Sequence, residues 1–154
     1  MNGASFRRDT KSVCDLSEVA ALHALALAGY HVAIPLGENN RYDLIIEKEG
    51  ILARVQVKTG RLRSGSVVFN CYSSHLRRSG VECRRYVGEV EYFAVFCPEV
   101  SEVYLIPAED LDVLQGSLRM TPAKNGQRKR IRLASSYRIS KKIRQNENAV
   151  VAQW

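Results

Sequence analysis

The chain has 154 residues, 45% of them hydrophobic and 25% charged. That profile excludes a fibrous, low-complexity or disordered chain, and it gives one domain, residues 1–154, enough apolar material for its own core. The formal charge is +7, which favours a polyanionic partner, nucleic acid first and an anionic membrane surface second.

The basic surplus is concentrated. Residues 124–144 hold nine Lys or Arg and no Asp or Glu, and residues 61–85 hold six Arg against Glu82 alone. One such run is as readily a solvated face as a binding surface; two in so short a chain favour nucleic acid. The four cysteines form no C-x-x-C pair, and the three histidines stand at no zinc-ligand spacing. Reduced cysteines imply an intracellular protein. The longest apolar run, 19–30, is broken by His23 and is too short to span a bilayer. No membrane partner is expected.

In chain order, residues 1–9 are polar and read as frayed. Residues 10–28 read as a helix, apolar nearly all round beyond Glu18 and so buried on most sides. Gly29 ends it. A short strand over 31–35 follows, then a loop over 36–40. The stretch RYDLIIEKEGILARVQVKTG, residues 41–60, reads as a hairpin with Glu49 and Gly50 at its turn. Paired positions then place Asp43 opposite Gln56, with Lys58 two residues on along the same face. The other face collects Leu44, Ile46, Ala53, Val55 and Val57. A one-residue slip would bury charges, so the pattern specifies this register.

Residues 66–71 read as a strand, and 92–97 with 102–106 as a hairpin. A short helix is expected over 108–114, extended segments over 117–120 and 129–133, and a basic helix over 137–147. Strands outnumber helices, and one long helix precedes them, which makes the class α/β or α+β.

An acid, an amide and an ammonium on one strand face can hold a divalent metal and a water beside a phosphate. Asp43 supplies a charged ligand and Gln56 a neutral oxygen, the ligand type that Mg²⁺ takes while keeping several waters. Lys58 can orient or activate the water, or stabilise charge on the phosphate. The bland alternative is an exposed sheet face with scattered charges. Glu18 has two readings. With Asp15 it has capping-box spacing, which makes it a helix-start acid; in a helix beginning near Thr10 it is internal and needs a partner. Arg61 and Arg63 stand close enough to Lys58 to grip phosphates. The seven tyrosines can stack on bases, but half-buried strand or helix positions account for most of them.

Four pieces, LSEVAALHALALAGYHVAIPLGENNRYDLII, RVQVKTG, EYFAVFCPEVSEVYLIP and LRMTPAKNGQRKRIRLASSYRI, resemble the PD-(D/E)XK nuclease superfamily, and within it the small intron-associated, homing-type endonucleases. They cover residues 10–139, and the Q-V-K-T form is specific to that subgroup. The resemblance implies an α/β fold with an αβββαβ restriction-endonuclease-like core around a mixed sheet. It implies Glu18 as the helix-borne acid, Asp43 as the metal-binding aspartate, Gln56 and Lys58 as the (E/Q)-x-K pair, and the Val57 carbonyl as a further ligand. It implies Mg²⁺-dependent hydrolysis of double-stranded DNA, with Mn²⁺ as a substitute ion. It also implies a homodimer or homotetramer, because one site per chain cannot cut two strands, and a prokaryotic, phage or organellar setting. Arg61, Arg63, Arg77, Arg78, Lys124, Arg128, Lys129 and Arg130 are then the candidate DNA contacts, and their binding would be salt-dependent. The chain departs from the broad pattern at Gln56, where Glu is usual, and at Tyr42, where Pro is usual. The first departure leaves the site one negative charge short unless Glu18 supplies it. Two rivals remain: a junction-type, structure-selective nuclease, and a non-catalytic DNA-binding protein on the same scaffold. An RNA-binding module fits the charge but has no glycine-aromatic signature.

Overall fold

The structure, a computed structural model, describes residues 9–139 except 112, 127, 128 and 130. The first helix, α1, spans Thr10–Leu27. Asp9, the last residue of the segment read as frayed, is its N-cap and accepts a 2.8 Å bond from the Ser12 N–H. At the other end Gly29 takes φ +89°. The N–H groups of Gly29 and Tyr30 bond back to the carbonyls of Ala26 and Leu25, which closes the helix as a Schellman motif.

Burial on α1 is narrower than its composition led us to expect. Ser17, Ala21 and Leu25 form the buried stripe at a spacing of four, while Val19 is 65% exposed. The run of alanines makes the helix apolar all round without requiring cover on every side. It has one sheet face to pack against, and one stripe fills it.

That face belongs to a five-stranded sheet. Its strands are β1 (His31–Ala33), β2 (Leu44–Lys48), β3 (Ile51–Thr59), β8 (Tyr92–Cys97) and β9 (Glu102–Pro107), side by side in that order. The β3–β8 pair is parallel and the others antiparallel, which gives the mixed sheet expected. The β2–β3 register has Leu44 on Val55 and Ile46 on Ala53, as the alternation required. Glu49 and Gly50 both take positive φ, +55° and +82°, the conformation of a type I′ turn, whose twist suits adjoining strands.

Ala21 and Leu25 of α1 pack on Leu44, Ile46, Val55, Val57 and Ala94. On the opposite face Phe93, Val95 and Tyr104 pack against Val67, Phe69 and Leu118. Those last three come from a smaller sheet of β10 (Gln115–Arg119), β5 (Ser66–Asn70) and β4 (Arg61–Arg63). Three layers result, with residues 55–57 of β3 buried between the outer two. Gly60, where the chain leaves β3 for β4, has no room for a side chain: a Cβ there would lie 2.6 Å from Val67.

Between β3 and β8 the αβββαβ pattern calls for a helix. The chain instead forms β4, β5 and a separate two-stranded ribbon, β6 (Tyr72–Arg77) with β7 (Gly80–Arg85). The expected helix over 108–114 is a single 3-10 turn, Ala108–Asp110. A one-turn helix, α2 (Ala134–Tyr137), follows Leu133, which bridges to Arg119. The expected basic helix lies, beyond Ile139, outside the described residues.

Candidate active site

The site forms where β2 starts late. Leu44 is the first residue of β2 and pairs with Val55, yet β3 runs on to Thr59. Past Val55 the edge of β3 that faces β2 has no strand beside it. Asp43 covers part of this gap. Its N–H bonds the Val55 carbonyl at 2.9 Å, and its Oδ2 accepts from the Val57 N–H at 2.8 Å. Backbone N–H and C=O of one strand residue point to the same side, so the Val57 carbonyl opens on the same gap.

Gln56 lies across from Asp43, on the face the register assigned to it. It is one of two buried polar residues among those described. Its Nε2 donates to Asp43 Oδ2 at 2.6 Å and to the Val57 carbonyl at 3.3 Å. Both bonds to the Asp43 side chain fall on Oδ2, and no described group bonds Oδ1. Burial pushes the Asp43 carboxyl above its ordinary range, while the Val57 N–H, the Lys58 charge and the Gln56 amide pull the other way.

Lys58 extends from the same face. Its Nζ donates to the Tyr72 carbonyl at 3.1 Å and to the Tyr86 hydroxyl at 3.2 Å. Tyr86 is buried, stands edge-on to Phe93 and carries the Arg41 guanidinium 4.3 Å from its ring centre. Arg41 is held in turn by Glu89 at 2.7 Å and Ser73 at 2.6 Å. Tyr86 and Arg41 were not singled out from the sequence. Arg41 had a signal, since it lies two residues from Asp43 and so shares its face. Tyr86 had none, being 28 residues from the lysine it contacts.

Glu18 is internal to α1, which settles the helix-start reading against it: the helix begins eight residues earlier, at Thr10. The neighbouring Ser17 hydroxyl donates to the Val13 carbonyl and is 2.6 Å from the Thr59 hydroxyl, which ties α1 to the end of β3. Burial raises the Glu18 carboxyl, and the negative charges of Asp43 and Asp15 raise it further. Glu18, Asp43, Gln56, Val57 and Lys58 line one cavity of about 340 Å³, together with Ser17, Thr59 and Tyr72.

The basic candidates are more dispersed. Arg61 and Arg63 are exposed on β4, Arg77 and Arg78 lie at the tip of the β6–β7 ribbon, and Lys124 and Lys129 are exposed in the loop after β10. Arg128 and Arg130 lie outside the described residues.

The donor set decides which ion fits. Among the described residues no three His, Cys, Asp or Glu side chains converge. The site offers Asp43, the Val57 carbonyl and the nearby Glu18, with the Gln56 amide beside them, its nitrogen now facing Asp43 and Val57. The first three are oxygen donors, and two carboxylates repel each other across the cavity. A hard divalent cation that keeps several waters matches this set.

A mixed sheet carrying an acid, a Gln-x-Lys pair and a helix-borne glutamate defines a nuclease-type core. The family model of the PD-(D/E)XK endonucleases matches residues 8–140, and the chain belongs to that family. Among solved structures it is similar to the bacterial homing endonuclease I-Ssp6803I, with a TM-score of 0.69 and 25% identity over 85% of this chain and 89% of that one. Curated proteins gave no match. No helix among the described residues is long and apolar enough to cross a membrane.

Proposed function

We propose that this endonuclease is a Mg²⁺-dependent, site-specific cutter of double-stranded DNA of the homing type, acting as a homo-oligomer. The observation that carries the reading is the convergence of Asp43, Gln56, Lys58 and Glu18 on one cavity at the open end of β2. Mn²⁺ is the expected substitute ion. The likeness to a homing endonuclease supports the type of cutter.

Asp43, the Val57 carbonyl and Glu18 would hold the ion, joined by Gln56 once its amide turned its oxygen inward. When bound, it neutralises charge on the scissile phosphate and lowers the pKa of a bound water. Gln56 brings no charge, so Glu18 completes the anionic complement. The Asp43 Oδ2 already accepts two bonds, which fixes the carboxylate. Lys58, anchored by Tyr72 and Tyr86, presents its ammonium to the reacting phosphate. There it orients the attacking water and stabilises the developing charge. The water oxygen bonds to phosphorus and gives up a proton to solvent, the opposite phosphorus–oxygen bond breaks, and the leaving oxygen takes up a proton from solvent. Exposed arginines and lysines on β4 and after β10 hold the backbone, and those at the ribbon tip contact the duplex. One site per chain requires a second copy to cut the second strand.

The test is Lys58→Ala. Cleavage of the DNA flanking the native gene falls by about 10²-fold or more, the scale of losing one preorganised electrostatic contact, while binding in the same salt is kept. Cleavage at the wild-type rate would remove the lysine from the mechanism.

A further inference from the structure

The β6–β7 ribbon is poorly explained as a structural element. Its strands pair only with each other. Beyond Ser73 every residue of β6 is exposed, and so is every residue of β7. An isolated two-stranded hairpin is marginal in water, and this one presents apolar side chains to solvent. Leu76 and Val81 are directly opposed and 86% and 66% exposed. Alternation puts Ser74, Leu76, Val81 and Cys83 on one face and His75, Arg77, Glu82 and Arg84 on the other.

Its root is fixed to the catalytic cavity. Tyr72, Ser73 and Ser74 line that cavity, and the Tyr72 carbonyl accepts from Lys58. Arg41 donates to the Ser73 hydroxyl and, at 3.1 Å, to the Arg85 carbonyl, so one guanidinium clamps both strands. Glu89 joins Arg41 to Arg84. The ribbon therefore leaves the cavity at a set angle with its tip in solvent.

We infer that the β6–β7 ribbon enters the DNA major groove beside the scissile phosphate and reads base pairs there. Where the DNA lies rests on the proposed function; three observations favour the groove. The major groove, about 12 Å wide, admits a two-stranded ribbon. The ribbon has four arginines, Arg77, Arg78, Arg84 and Arg85, against Glu82 alone, which suits a polyanion. The Arg77–Glu82 pair is exposed on both sides, so a phosphate or guanine edge displaces it at little cost. The Leu76–Val81 pair gains cover against thymine methyl groups, which line this groove and not the minor one. Six residues per strand span about 20 Å, so the tip reaches several base pairs from the cut.

The experiment selects bound duplexes from a random library without divalent metal, using the full chain. Wild type is compared with His75→Ala/Arg78→Ala and with Leu76→Ser/Val81→Ser, and each bound motif is probed by methylation interference at guanine N7. Wild type enriches a defined motif. Each double variant loses preference over a contiguous part of it and keeps an unchanged melting temperature. An unchanged motif in both variants, or no motif in wild type, overturns the inference. A change in subunit mass in Leu76→Ser/Val81→Ser with the motif intact also overturns it and makes the tip a contact between copies. Selection reads binding alone, so an inactive nuclease leaves this result legible. Cleavage by the same wild-type preparation with Mg²⁺ judges the nuclease reading separately.

Discussion

Lys58 is held by groups far from it in sequence. Its ammonium meets the Tyr86 hydroxyl at 3.2 Å, and Tyr86 is itself fixed by Phe93 and Arg41. Tyr86→Phe removes the hydroxyl and keeps the ring, its edge contact and its cation. We expect cleavage to slow by about tenfold, the worth of one hydrogen bond to a charged group. DNA binding and melting temperature stay as in wild type, and single-turnover rates beside binding curves check the split. Asp43, Gln56 and Lys58 could be placed on one face from the sequence because strand alternation is strict over 44–58. The lysine's holders could not, because a contact between residues 58 and 86 depends on how the chain folds back between β3 and β8.

At the scale of the element, a side-chain hydrogen bond, Ser17 to Thr59, joins α1 to the end of β3. Ser17→Ala strands the Thr59 hydroxyl in a part-buried place. The cost is about 1 kcal/mol of unfolding free energy, read by urea titration. Adding Thr59→Val restores part of it, because both polar partners are then gone. The root of the β6–β7 ribbon has an ionic tie. Arg41 and then Arg84 hold the Glu89 carboxyl below its ordinary value of 4.5, against a weaker effect of burial. A depressed carboxyl stabilises the fold above that value and loses its contribution as pH falls through the lowered pKa. Glu89→Gln should therefore melt below wild type at pH 7, with the gap closing under acid; melting curves across pH 3–7 measure it.

The elements also show what sequence patterning transmits. The β2–β3 register was readable because one face is oily and the other charged. The β8–β9 hairpin was readable because its apolar residues run uninterrupted up to Pro98 and resume after Ser101. The ribbon was not, since both its faces meet solvent and no period-two apolar signal arises. The burial on most sides expected for α1 misread alanine, which is apolar enough to enter a core and small enough to stay outside one.

For the molecule as a whole, charge and topology act together. The net charge of +7 has a cavity lined by Glu18 and Asp43 set into it, so in the proposed function a polyanion is attracted to a site it cannot approach closely without a cation. That division of labour, basic surface for the duplex and acidic cavity for the ion, is the central claim. It is tested most directly by cleavage of the DNA flanking the native gene, with no metal, with Mg²⁺ and with Mn²⁺, wild type beside Asp43→Ala. The account predicts cleavage by wild type only with metal, and none by Asp43→Ala under any of the three conditions while salt-sensitive binding persists. Cleavage by Asp43→Ala at the wild-type rate would contradict it. So would tight binding by wild type with no product in either metal, which would make the chain a DNA-binding protein built on a nuclease scaffold.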